Sequence, residues 1–286
     1  MDKSLINGRT KAIIAASFGM ALEWYDFFIY IYVGPIISAL FFPSTNPIAS
    51  LLAYYVSFAV GFLGRPVGGL VFGYLGDKIG RKYALVMTIM ITGLSVFFIG
   101  LLPTYAQIGI LAPILIFILR FLDGFGLGGE WGGSFSLTSE YVNPKRRGLY
   151  SGILQATVSI AILLATGLIL LLTSVLGHAG YENFGWRIPF ILGLFIALVG
   201  LAIRLRIEET PVFRKLQGEN KIEKNPILTA FRKYWKQLTY TAILVGIING
   251  VFYYTNFAYS LTYATTIAKA FHLPPASRSE EHTSEL

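Results

Sequence analysis

The sequence predicts an all-α membrane protein, a bundle of six spanning helices followed by the first helix of a second bundle. Three observations carry this. Apolar residues make up 55% of the chain and charged ones 13%, about half the charged share of an average soluble domain, and the mean hydropathy is +0.63. Seven apolar segments are each long enough to cross a hydrocarbon core of ~30 Å. The basic residues fall on alternate connections between those segments. A net charge of +8 ordinarily raises nucleic acid as a partner, but bases spread over helix ends make no binding face, so no nucleic acid is expected. With no cysteine and three histidines, neither thiol chemistry nor a histidine-rich metal site is expected, and no cofactor. No nucleophile and base recur in a catalytic arrangement, so the chain does not read as an enzyme.

In order, the apolar segments run over Ile13–Leu40, Leu51–Leu75, Ala84–Leu102, Ile108–Tyr141, Leu149–Leu176, Trp186–Ile203 and Leu238–Ala268. Pro43 and Pro47, Pro103, and Pro144 punctuate the connections. The first segment is too long for a cleavable signal and is expected to stay as a span. Lys3, Arg9 and Lys11 precede it; Lys78, Arg81 and Lys82 follow the second span, and Lys145, Arg146 and Arg147 the fourth. Nine more bases run from Arg204 to Lys236, whereas Phe41–Ser50 and Pro103–Gln107 carry none and Gly177–Gly185 carries only Glu182. By the positive-inside rule the N-terminus is cytoplasmic, in a multi-pass protein of the plasma membrane surrounded by the lipid bilayer. The division expected is 1–206 for the six-helix bundle, 207–237 for a cytoplasmic linker, 238–276 for the start of the second bundle and 277–286 for a tail. Within the linker, Asn225-Pro226 reads as an N-cap and first helical residue, and Ile227, Leu228, Phe231 and Trp235 recur opposite Arg232, Lys233 and Lys236. That pattern predicts a helix lying on the membrane surface, with a disordered charged linker as the alternative.

A glycine-rich helix end turns abruptly into a charged loop between the second and third spans. Gly64, Gly68, Gly69, Gly73 and Gly76 predict a face on which another helix lies close. The pattern that follows, Gly73-x-x-Gly76-Asp77-Lys78-x-Gly80-Arg81-Lys82, resembles the signature loop of the major facilitator superfamily. Gly124-Phe-Gly126-Leu-Gly-Gly129 matches a dinucleotide fingerprint letter by letter, but it lies inside an apolar span after no strand, and reads as a packing face. No phosphate-binding GxxxxGK[ST] loop occurs, so ATP-driven transport has no motor in this sequence.

Ionisable residues inside spans each need a reason, since insertion costs roughly 2.5–3.5 kcal/mol apiece. The first span carries Glu23 and Asp26, three apart and on a face shared with Tyr30. The fourth carries Arg120, Asp123 and Glu130, and Arg65 lies in the second. One reading is a cavity whose carboxylates bind and release a proton. The other is a structural ion pair, Arg120 with Asp123 or with Glu23. The surrounding motifs, Glu23-Trp-Tyr-Asp26-Phe-Phe-x-Tyr30, Arg65-Pro-x-Gly-Gly69, Arg120-x-x-Asp-Gly124-x-x-x-Gly-Gly-Glu130-Trp-Gly-Gly133 and Gly185-Trp-Arg-Ile-Pro-Phe190, resemble the metabolite:proton symporter family of that superfamily over about Ala15 to Lys215.

The resemblance implies a major facilitator fold built from inverted three-helix repeats. It implies a monomeric secondary active transporter that moves a small organic acid or zwitterion with protons by alternating access. Glu23, Asp26, Asp123 and Glu130 would be the proton-coupling candidates, Glu130 and Asp26 leading. Arg120, Arg65 and Tyr30 would bind substrate. Asp77, Arg81, Glu140, Arg147 and Glu209 would form a latch at the cytoplasmic face. Other major facilitator porters (sugar uptake or drug efflux) and a membrane scaffold or receptor without flux are the alternatives. On the seventh span Asn249, Tyr253, Asn256, Ser260 and Tyr263 form one polar stripe, a cavity wall or a set of interhelical hydrogen bonds. After Pro275 the text turns polar, and Arg278–Leu286 resembles the in-frame translation of a common sequencing adapter. The expectation is therefore a truncated sequence, inactive as a transporter by itself, whose gene continues through helices eight to twelve.

Overall fold

A computed structural model describes residues 3–219, 221–223 and 225–253. They fall into two compact units, Met1–Lys224 and Asn225–Leu286, and among the described residues every regular element is a helix. The first unit holds α1 (Lys3–Tyr32), α2 (Gly34–Phe41), α3 (Pro47–Ile79), α4 (Arg81–Leu101), α5 (Tyr105–Ile108), α6 (Leu111–Tyr141), α7 (Arg147–Gly180), α8 (Arg187–Leu205) and α9 (Pro211–Gly218). A 3-10 turn, Pro144–Arg146, precedes α7, and a π turn, Tyr181–Gly185, follows it. Six stretches of the described residues are long and apolar enough to cross a membrane, and they match the first six expected spans.

Local chemistry sets the boundaries. The first apolar segment, expected as one helix to Leu40, breaks at Val33, where Pro35 enters the first turn of α2 without an amide hydrogen to continue the ladder. Asn46 caps α3 by accepting from the Ile48 amide at 2.9 Å, with Pro47 as the first helical residue. Thr104 and Gln107 close a capping box on α5, a short helix in what was expected as a connection, and Gly109, at φ +60°, separates it from α6, which begins at Leu111 where Ile108 was expected. Gly80, at φ +113°, makes the abrupt turn from α3 into α4. Thr210 caps α9, accepting from the Phe213 amide at 3.1 Å; this short helix had no counterpart in the expected elements.

Helix α6 runs through the middle of the unit, packed on α3 and α4, while α4 also packs on α8, and α1 on α7, α8 and α6. The α3–α6 seam is made by glycine. A Cβ on Gly64 or Gly68 would collide with the backbone of Phe121 or Phe125, and one on Gly124 or Gly128 with the backbone of Gly61 or Arg65. Both glycine stretches are therefore packing faces, and for each other. Gly76 and Gly126 face α4 instead, against Arg81 and Thr92, and Gly73 has open space beside it. The Gly185–Phe190 motif closes the opposite end: Trp186 is fully buried against Phe41 and Phe190. Arg187 donates to the carbonyls of Gly100 and Leu102 at 2.8 and 2.7 Å, satisfying the last turn of α4.

The second unit holds α10 (Pro226–Lys233) and α11 (Trp235–Tyr253). Asn225 and Pro226 start α10 as expected, with Ile227, Leu228 and Phe231 exposed. The helix stops at Tyr234, so Trp235 opens α11 instead of ending the surface helix. Asn249 and Tyr253 lie on α11, with side chains outside the described residues; Asn256, Ser260, Tyr263 and the tail 277–286 lie outside them altogether.

Candidate functional site

Arg120 is the centre of the buried charge. Its Nη2 donates to both carboxylate oxygens of Asp26, at 2.8 and 3.0 Å, and its Nη1 lies 3.4 Å from Asp123 Oδ2 one turn along α6. All three are buried. The guanidinium stands 3.9 Å over the ring of Tyr30. Tyr30 is itself fully enclosed, its hydroxyl shared with Ser57 and its carbonyl accepting from the Tyr54 hydroxyl at 2.8 Å. It supports the guanidinium from behind. Glu23, expected as one partner for Arg120, pairs instead with Arg65, whose Nη1 donates to Oε1 at 3.1 Å. The exposures differ sharply: 30% for the Arg65 side chain and 3% for Glu23.

Asp26, Arg65, Arg120 and Asp123 line one cleft between α1, α3 and α6, together with Phe27, Phe58 and Phe62 among others. Three buried polar atoms in the cluster have no hydrogen-bond partner: Glu23 Oε2, Asp123 Oδ1 and Arg120 Nε. A fully enclosed salt bridge ordinarily fills such positions, because an unsatisfied charged group is expensive.

Glu130 has a counter-ion of its own. Arg204, on α8, donates to both Glu130 oxygens, and Thr88 and Ser134 each donate to that carboxylate at 2.8 Å. Arg204 also donates to the Leu85 carbonyl, and no room is left for a Cβ at Gly19 beside the pair. Four helices meet on these two side chains. Sequence reasoning missed Arg204, counting it among the loop bases, although only 1% of it is exposed. The signal was there: Pro189, Gly193, Ala197, Gly200 and Arg204 are the buried stripe of α8, at helical spacing, so the base continues a packing face.

At the end where α3 meets α4, Arg81 reaches Asp77 at 2.7 Å and Glu140 at 3.3 Å. Glu209 accepts from the backbone amides of Arg81 and Lys82 at 3.0 and 3.2 Å, placing a carboxylate on the N-terminus of α4. Gly80 leaves the space that Glu209 occupies. The structure thus brings together four of the five expected latch residues. Arg147 donates to the Ser139 carbonyl at 3.2 Å and meets no carboxylate among the described residues.

A bundle of six apolar, membrane-length helices with paired charges in its interior is that of a multi-pass membrane protein, and its fold is the one seen in a major facilitator superfamily symporter of known structure. Residues 11–276 match the family model described as "Sugar (and other) transporter", and the chain belongs to that family. It is a family of transporters, not of enzymes. The chain is 38% identical over 264 residues to an inner membrane metabolite transport protein (YhjE) of Escherichia coli, covering 92% of this chain and 60% of that one. It is 39% identical to a proline/betaine transporter of Escherichia coli, covering 88% and 52%, and 40% identical to a putative proline/betaine transporter of Staphylococcus haemolyticus, covering 93% and 57%. The chain therefore spans between 52% and 60% of the length of these relatives. Among solved structures, a partially occluded inward-open xylose transporter of Escherichia coli superposes with a TM-score of 0.69 at 20% identity, covering 93% of this chain and 66% of that one. A xylose symporter bound to a bromodeoxyglucose gives 0.67 at 19%, covering 78% and 49%. At that identity the likeness concerns the fold alone.

Proposed function

We propose that this protein works as a secondary active transporter, moving a small organic acid or zwitterionic metabolite together with protons by alternating access. The observation that carries the reading is Arg120 held between Asp26 and Asp123 beside an open cleft, with unpartnered carboxylate oxygens on Asp123 and Glu23. Three acids around two guanidiniums exceed what a structural ion pair needs, and each adds an insertion cost of roughly 2.5–3.5 kcal/mol. An excess acid in such a site is a place for a proton. Glu23, Asp26, Asp123 and Glu130 are the candidate carriers. Arg65 and Arg120 offer cations to a substrate carboxylate, Tyr30 backs Arg120, and Asn249, Tyr253 and Asn256 would contribute from the seventh span. The names of the relatives, metabolite and proline/betaine transporters, favour small polar solutes of this kind.

In this reading the N-terminus is cytoplasmic in the plasma membrane and the protein is a monomer. Residues 1–206 form the first bundle, 207–237 a cytoplasmic linker and 238–276 the start of the second, and Asp77, Arg81, Glu140, Arg147 and Glu209 latch one transport state. The test is uptake by the full-length gene product in vesicles under an imposed pH gradient, with a panel of organic acids and zwitterions. Gradient-driven accumulation that ends when Glu23, Asp26, Asp123 and Glu130 are each changed to the amide supports it. Accumulation untouched by all four amides places the coupling elsewhere.

A further inference from the structure

The three acids around Arg65 and Arg120 do not share the two cations equally. Arg120 donates through Nη2 to both oxygens of Asp26, at 2.8 and 3.0 Å, and meets Asp123 only at 3.4 Å. Arg65 holds Glu23 at 3.1 Å. Asp123 therefore has the weakest hold on a cation, and its Oδ1 is buried with no hydrogen-bond partner. The ionisable groups around it are Asp26 and Tyr30 from α1, Arg65 from α3 and Arg120 from its own helix. Among the described residues α4 adds none there: its Thr88 and Thr92 lie against Glu130 and Gly126.

With all five charged side chains ionised, the cluster carries one negative charge too many, and all three acids are buried. A buried charge without a counter-ion takes up a proton in place of staying ionised. Protonation also turns Asp123 from an acceptor without a donor into a donor, with the Asp26 carboxylate on the same guanidinium as the acceptor beside it. Glu130 is the opposite case. Arg204, Thr88 and Ser134 donate four hydrogen bonds to it, and each favours the charged form. The cleft that Asp123 lines with Asp26 and Arg65 has room for about one water molecule. A proton needs no more.

Resting on the transport reading above, we infer that Asp123 is the residue that carries the coupled proton, while Asp26 and Glu130 stay ionised on Arg120 and Arg204. Protonated, Asp123 leaves α1, α3 and α6 meeting on a neutral cluster. Ionised, it adds an uncompensated charge to that seam and favours a conformation in which the seam is open to water. The proton thereby sets which conformation the first bundle prefers.

The test is infrared difference spectroscopy of the purified full-length protein in detergent, with no substrate and no gradient. Spectra are compared between about pH 6 and pH 9, above the range in which exposed carboxylates titrate. A carboxyl that titrates there gives a protonated C=O stretch that moves in heavy water. Asp123→Asn is expected to abolish that band, and Glu130→Gln to leave it. Asp123→Glu is expected to restore it at a different frequency, whereas Asp26→Glu keeps the frequency of the parent. Because the amide imitates a group already neutral, Asp123→Asn at the acid end of the range should unfold within about 3 °C of the parent. A parent without the band overturns the inference, as does a band that survives Asp123→Asn, follows Asp26→Glu or vanishes with Glu130→Gln. Failure of Asp123→Asn to fold overturns it too, since the charge would then be structural. The expected spectra without gradient-driven uptake leave Asp123 as the protonation site and remove the transport reading alone. Gradient-driven uptake with a band indifferent to Asp123→Asn does the reverse, so the two failures are told apart.

Discussion

At the scale of single residues, the two buried charge clusters differ in how completely they are satisfied. Glu130 receives four donated hydrogen bonds from Arg204, Thr88 and Ser134, whereas Asp123 and Glu23 each keep an oxygen without a partner. Removing Arg204 alone leaves Glu130 buried without its counter-ion, and Arg204→Leu is expected to lower stability by roughly 3–5 kcal/mol. The double variant Arg204→Leu with Glu130→Leu should be less damaging than the sum of the singles, with a coupling above about 1 kcal/mol. Thermal unfolding in detergent measures both, and additive losses would mean the pair is not the unit it resembles. Arg120→Leu leaves Asp26 and Asp123 facing each other unpaired, so it too should cost about 3–5 kcal/mol. Recovery on adding Asp26→Asn and Asp123→Asn checks that cause.

Between elements, the α3–α6 seam depends on absent side chains. Gly64→Ala and Gly128→Ala place a methyl group into facing backbone, and overpacking of this kind typically costs about 1–3 kcal/mol. Gly73→Ala and Gly132→Ala, with nothing near their Cβ positions, should stay within about 0.5 kcal/mol of the parent. Midpoints for the four variants, read side by side, test whether closeness or glycine itself matters. At the α4 N-terminus, Glu209→Gln keeps hydrogen-bonding capacity but loses the charge that meets the helix dipole, an interaction worth about 0.3–1 kcal/mol. If the latch reading holds, Glu209→Gln and Asp77→Asn slow the transport cycle of the full-length protein while leaving its membrane insertion intact. Unaltered cycling in both would remove the latch.

For the whole molecule, the orientation has a clean test because the sequence has no cysteine. Ser44→Cys and Lys145→Cys introduce single thiols at exposed positions in connections on opposite sides of the proposed topology. A membrane-impermeant maleimide added to intact cells should label the first and spare the second until the membrane is broken. The reverse pattern would invert the assignment made from Lys and Arg counts.

What the sequence determined by itself is what depends on composition and on one-dimensional spacing. Hydropathy placed the six spans of the first unit, because a helix crossing lipid must be apolar along its whole length whatever it packs against. The glycine stretches announced close helix contact, and the buried acids of the first and fourth spans announced a site, because both are costly where they stand unless something uses them. The helix break within the first span, at Val33, was not legible, since one proline in an apolar run can be a kink or a full stop. Only the tertiary structure decided the pairing. Glu23 took Arg65 in place of Arg120, and Glu130 found Arg204 from a distant helix. Partner choice between buried charges is set by where helix axes lie and how they are rotated, and those follow from packing on all sides at once. Arg204 shows the limit most clearly: four residues past Gly200 on a small-residue stripe, it reads as a loop base by hydropathy and as a buried counter-ion by geometry.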